Sequence, residues 1–222
     1  MDFTKFLALL EESSLHFPSL HVLCQADPYE GYLAEQTVRE GNEYLRKAAE
    51  KHGLTVEGPA GDDWAIVKMT RKNCYVSCWH MSDHESVAMW NLYGNTEQGI
   101  GIQSTVGSLT ETFQSAEQGI CMGLVKYIDF SKDNPQIVSG QALALQKRKS
   151  FEHEKELRII TLDFNTQASG LLIRVDLSHL IQRVYVAPSA PPWLHGLTEK
   201  VAKRYELKAD VIQSNLNEKP LY

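Results

Sequence analysis

Cysteine is scarce in this chain, at four in 222 residues: Cys24, Cys74, Cys78 and Cys121. That number excludes a disulfide framework in a chain this long. A basic leader is missing too. The opening MDFTKFLALLEESS is acidic and does not read as a secretory signal. No apolar run reaches the roughly 20 residues that cross a bilayer, so no membrane association is expected. Basic charge is in deficit, with 22 Lys and Arg against 28 Asp and Glu and a net charge of -6. Nucleic-acid binding would therefore need a local patch, and the one basic cluster, Lys147–Lys149, runs straight into acids. Internal repeats, low-complexity stretches and a regular βαβα alternation are all lacking. These absences leave an ordinary globular protein. A reducing, cytoplasmic location and buried thiols are the expectation.

What is there has the periodicity of a mixed fold. Phe3, Phe6, Leu7 and Leu10 recur at helical spacing over 3–12. Leu15–Phe17 reads as a strand ended by Pro18, and Asp27–Gly31 as a turn. A longer helix is expected near 33–51, with Ala34, Val38, Leu45 and Ala48 as its stripe and Gly53 as its C-cap. Residues 57–63 read as a loop, and 64–70 fit helix or strand equally. Strands are expected at 74–79, 99–105, 120–128, 156–162, 171–175, 183–187 and 211–213. Helices are expected at 85–93, 109–113, 141–150 and after Pro191-Pro192. The reading is α+β: a mixed or antiparallel sheet with helices packed around it, in one domain over 1–222.

Several groups of residues bear on chemistry. Cys74, Cys78, His80 and His84 look like zinc ligands on paper. In a strand, however, Cys74 and Cys78 would stand about 13 Å apart at ~3.3 Å per residue, too far to share one ion. No metal is expected from them. Gly99-Ile100-Gly101 lacks the lysine and third glycine of a phosphate loop and suits close backbone packing instead. No nucleophile elbow, zinc-protease helix or kinase signature occurs. Trp79, His80, Glu85, Trp90 and Tyr93 lie within fifteen residues. Such a cluster fits a ring-stacking site, and equally the buried stripe of a helix.

The stretch Lys147–Arg158 is the most informative. If it is helical throughout, Arg148, Glu152 and Glu156 form an ion-pair ladder on one face. If it is extended, Glu152, Glu154 and Glu156 point to one side and need a cation or hydroxyl opposite. Paired carboxylates suit general-base work and stabilisation of an oxocarbenium ion. Arg148 and Arg158 are the candidate counter-charges.

At these residues a resemblance enters. YVSCWHMSDHESVAMWNLYGNTEQGIGIQST and LQKRKSFEHEKELRII resemble the bacterial family catalogued as domain of unknown function 2971. SSLHFPSL and ADPYEGY resemble the same family's first strand and its Asp-Pro-aromatic-Glu turn. The block order is in turn similar to ADP-ribosyltransferases, with Glu154-Lys155-Glu156 as their Glu-x-Glu. The resemblance implies NAD as cofactor, Glu156 on the nicotinamide ribose, Glu154 at the acceptor and Ser77 bracing Glu156. It implies a ring stacked by Trp90 or Tyr93, with Trp79 and His80 as further candidate cofactor contacts. The family's usual opening segment, with an aromatic–basic pair, does not precede the first helix here. Arg71, Arg148 or Arg158 would then take the phosphates. Three functions follow as expectations. The first is an NAD-using transferase acting on a macromolecule, as in a toxin or phage-defence effector. The second is a non-catalytic module binding a nucleotide or a protein partner. The third is a metal-dependent hydrolase built on Asp27, Glu30 and the later acids, if those converge.

Overall fold

A computed structural model of the chain describes residues 1–52, 65–94, 97–114, 116, 118–136, 139–166, 168–220 and 222. The expectations for Gly53 and for 57–63 lie outside the described residues. Nine α-helices and ten strands occur among those described, and the fold is a mixed α+β one. In chain order they are α1 (Phe3–Glu12), β1 (Ser14–Pro18), α2 (Leu20–Leu23), α3 (Glu35–Lys51), α4 (Ala65–Asn73), β2 (Cys74–His80), α5 (Val87–Tyr93), β3 (Ile100–Gln103), α6 (Val106–Phe113) and β4 (Ile120–Leu124). There follow β5 (Lys126–Ile128), α7 (Gly140–Ala144), β6 (Gln146–Arg148), β7 (Glu156–Leu162), β8 (Gly170–Arg174), α8 (Leu177–Leu180), β9 (Arg183–Val186), α9 (Pro192–Arg204) and β10 (Asp210–Gln213). A 3-10 helix, Lys149–Glu154, links β6 to β7.

Local chemistry sets many of the boundaries. Asp2, Ser19, Ser86, Thr105, Ser139 and Asp176 each cap a helix by accepting a backbone N–H. Pro191 and Pro192 start α9, where a missing N–H costs nothing. The strands are rich in β-branched and aromatic residues, which fit a pleated surface.

The chain divides into two compact units. The first comprises Met1–His16, Ser82–Glu117 and Leu172–Tyr222. Its sheet has the order β10-β9-β3, with β10 parallel and β3 antiparallel to β9. Helix α9 packs on β9 and β10, and α6 on α8. Phe6, Leu10, Ile100, Ile173, Leu180, Val184 and Leu194 are buried there.

The second unit comprises Phe17–Met81 and Gln118–Leu171. Its sheet has the order β2-β7-β4, antiparallel throughout, beside the parallel pair β5-β6. Leu20, Cys74, Val76, Ala144 and Ile160 form one core cluster, and Ala34, Ile128 and Phe130 another. β1 pairs with β8.

Two expected elements are corrected. Residues 141–150 are not one helix. The helix ends at Ala144, and Gln146–Arg148 pairs with β5. Ladder partners outweigh the helix propensity of Gln146, Lys147 and Arg148 there. The expected strand over 120–128 is likewise two strands, β4 and β5.

Candidate functional site

The second unit holds a buried cluster of five charged side chains: Glu30, Lys147, Glu154, Glu156 and Arg158. Strand β7 supplies Glu156 and Arg158. Their partners across β2 are His80 and Cys78, so all four share one face of the sheet. The turn Asp27–Gly31 supplies Glu30. Asp27 Oδ1 accepts the Tyr29 N–H at 3.1 Å, and Gly31 takes φ +71°, a left-handed value that glycine adopts freely. Lys147 comes from β6 and Glu154 from the end of the 3-10 helix.

Arg158 is fully buried and every one of its nitrogens is engaged. Its Nη1 and Nη2 fork onto the two oxygens of Glu30 at 2.9 and 2.7 Å. Nη1 also donates to the Ala144 carbonyl at 2.8 Å, and Nε to Glu156 Oε2 at 2.6 Å. Lys147 Nζ donates to Glu156 Oε1 at 2.7 Å and to Glu154 Oε2, and lies 3.6 Å from Glu30 Oε1. The Phe151 ring sits under the same ammonium at 4.7 Å. The Glu156 N–H donates to the Tyr127 hydroxyl.

Charge dictates the protonation here. Burial pushes the Glu156 carboxyl up. The Arg158 charge and a hydrogen bond with Glu154 outweigh that and hold it well below the usual carboxylate range. Burial pulls Lys147 down, but Glu156, Glu154 and Glu30 leave it raised. Three carboxyl groups face two cations in this cluster.

The sequence-derived site residues fall in several places. Glu154 and Glu156 do meet, but not along an extended strand. Residues 149–154 wind as a 3-10 helix, and Lys155 turns left-handed at φ 43°. That reversal brings both carboxylates onto Lys147. Ser77 does not brace Glu156. It pairs with Ile159 on the opposite face of the sheet and accepts the Trp79 Nε1–H at 3.1 Å. Trp79 shares that opposite face. His80 is on the Glu156 face, with Nδ1 2.6 Å from the Glu154 carbonyl oxygen. Arg148 takes no part in the cluster. Its Nη2 donates to Asp27 Oδ1 at 2.7 Å, and its guanidinium lies over the rings of Tyr29 and Phe151. Trp90 and Tyr93 belong to the first unit, where Trp90 Nε1 donates to Glu85 Oε2 at 2.9 Å and Tyr93 is exposed.

The metal-site expectation has a geometric answer. Glu30, Glu154 and Glu156 converge as a hydrolase would need, but they converge on Lys147 and Arg158. Asp27 is held instead by Arg148. Among the described residues no group of three His, Cys, Asp or Glu is arranged for a metal ion. Cys74 is a fully buried core thiol, and that burial pushes it up to about 12.

The sequence reading missed Lys147 as the hub and missed the two arginine clamps on the Asp27–Glu30 turn. It also passed over the groove beside that turn. Tyr29, Tyr32, Leu33, Val38 and Val67 line an open groove of about 420 Å³, with Glu35 and Arg39 at its rim. Arg71 lies over the Tyr32 ring at 4.1 Å. The signal was the ADPYEGY turn itself, which places two tyrosines three residues apart between charges.

No helix among the described residues is long and apolar enough to cross a membrane. No family model, curated protein or solved structure matches this chain.

Proposed function

We propose that this chain is a non-catalytic binding module whose ligand is a nucleotide, seated in the tyrosine groove of the second unit. One observation carries the choice against a transferase. Glu156 is 6% exposed, and both its oxygens are taken, one by Lys147 and one by Arg158. A carboxylate that must stabilise an oxocarbenium ion needs an oxygen facing substrate. In this reading the Glu-x-Glu pair is a frame. It clamps Arg158, Arg158 clamps Glu30, and Glu30 fixes the turn that presents Tyr29 and Tyr32. The tyrosines offer a base the ring faces that Arg148 and Arg71 leave open, and Arg39 would exchange its exposed pairing with Glu35 for a phosphate.

Calorimetry with NAD and with ADP tests the ligand, and nicotinamide release from NAD tests the chemistry. Binding weakened at least tenfold by Tyr29→Ala, with no nicotinamide release above the Glu156→Gln background, is expected. Release that depends on Glu156 would instead establish the transferase. Absence of heat with either nucleotide on folded protein would remove the nucleotide assignment.

A further inference from the structure

The first unit carries a second hollow, independent of the tyrosine groove. It encloses about 310 Å³, and Trp90, Asn91, Glu97, Ser189, Leu216 and Asn217 are among its lining. One of its lining groups is a held indole. Glu85 fixes the Trp90 Nε1–H, and Gly94 and Gly101 lie close to atoms of its six-membered ring. A Cβ at Gly94 would stand 2.6 Å from Trp90 Cε3, and one at Gly101 would stand 3.2 Å from Cη2. The ring therefore has one place to lie. Around it stand two amides, a hydroxyl and one carboxylate. Asn217 Nδ2 donates to the Pro188 carbonyl at 3.0 Å, which sets the plane of that amide.

We infer that this hollow binds a neutral saccharide unit. A pyranose has an apolar C–H face that packs on a fixed aromatic ring and a rim of hydroxyls that donate and accept. Amides answer both roles, and a carboxylate accepts from hydroxyls strongly. Among the described residues no cation lines the hollow, and Glu97 repels anions, so a sugar phosphate or a nucleotide is disfavoured. The volume is at the lower end for small-molecule sites and suits one sugar ring.

Saturation-transfer NMR tests this with glucose, galactose, N-acetylglucosamine and ribose, and with their methyl glycosides, on the intact chain. Saturable binding of at least one probe is expected, with a Kd at or below the millimolar range. Asn91→Ala should weaken it at least fivefold, and Ser189→Trp, which fills an exposed rim position, should abolish it. Tyr29→Ala should leave it unchanged, which separates this site from the nucleotide groove. A methyl glycoside that binds as well as the free sugar identifies the end of a glycan as the natural form. Preference for the free sugar identifies the monosaccharide. Three results overturn the inference: no saturable signal to about 50 mM on folded protein, binding untouched by both variants, or tighter binding of glucose 6-phosphate than of glucose.

Discussion

Lys147 balances the charge of the second unit's interior, and its removal has a calculable sign. Lys147→Met leaves Glu154 and Glu156 buried without their ammonium. Breaking one side of a buried pair typically costs about 3–5 kcal/mol. A loss of that size is expected in urea unfolding. Adding Glu156→Gln should recover part of it, because the two changes act on one network. The pH dependence follows from the same groups. Glu156 is held below its ordinary value of 4.5, so its contribution is complete above that pH and fades as pH falls further. Lys147 is raised above 10.5, so its contribution is complete below that pH and is lost as pH climbs past it. The urea midpoint should therefore be flat near neutrality and fall at both ends, and Lys147→Met should reduce the alkaline fall while leaving the part due to the raised thiols Cys74 and Cys78. Glu154 and Glu156 were legible as a pair because two acids two residues apart demand a counter-charge. Lys147 was not legible. A lysine in a run of basic residues reads as solvated, and only the pairing of β6 with β5 turns it inward.

At the scale of elements, close approach decides what the sequence tolerates. Gly31 combines a positive φ with a tight neighbour, since a Cβ there would stand 2.8 Å from Arg71 Cγ. Gly31→Ala should cost about 1–3 kcal/mol in thermal or urea unfolding and weaken any ligand of the tyrosine groove. Gly94 is constrained by the ring and the carbonyl of Trp90 rather than by φ. Gly94→Ala should cost a similar ~1–3 kcal/mol and shift Trp90 emission, read as the difference from Trp90→Phe. Sequence patterns revealed β2, β7 and α9 because each carries its own signal: β-branched runs for the strands, prolines and an apolar stripe for the helix. They failed at 146–148, where three residues are a strand only because a partner lies beside them. They also failed at Lys155, whose left-handed turn decides where Glu154 points and which no local residue preference announces.

Over the whole molecule, the discontinuity of the two units matters most. Each is assembled from separated stretches of chain, so neither can be read as a contiguous block of sequence. Periodicity reports on neighbours along the chain, and nothing in it shows that 82–117 joins 172–222. Amide exchange tests the division. Lys147→Met should speed exchange in the β2-β7-β4 sheet at least tenfold more than in the β10-β9-β3 sheet. Equal acceleration in both would mean that they open as one.

The interleaving also has a consequence for synthesis. Strand β3 ends at Gln103, and its partner β9 does not begin until Arg183. A chain emerging from the ribosome has every segment of the second unit available by Leu171, while β3 still waits for its mate. The second unit is thus placed to fold first. The nascent first unit, with β3 unpaired on that side and Trp90 unsupported by the completed sheet, is where chaperone contact and premature aggregation would concentrate.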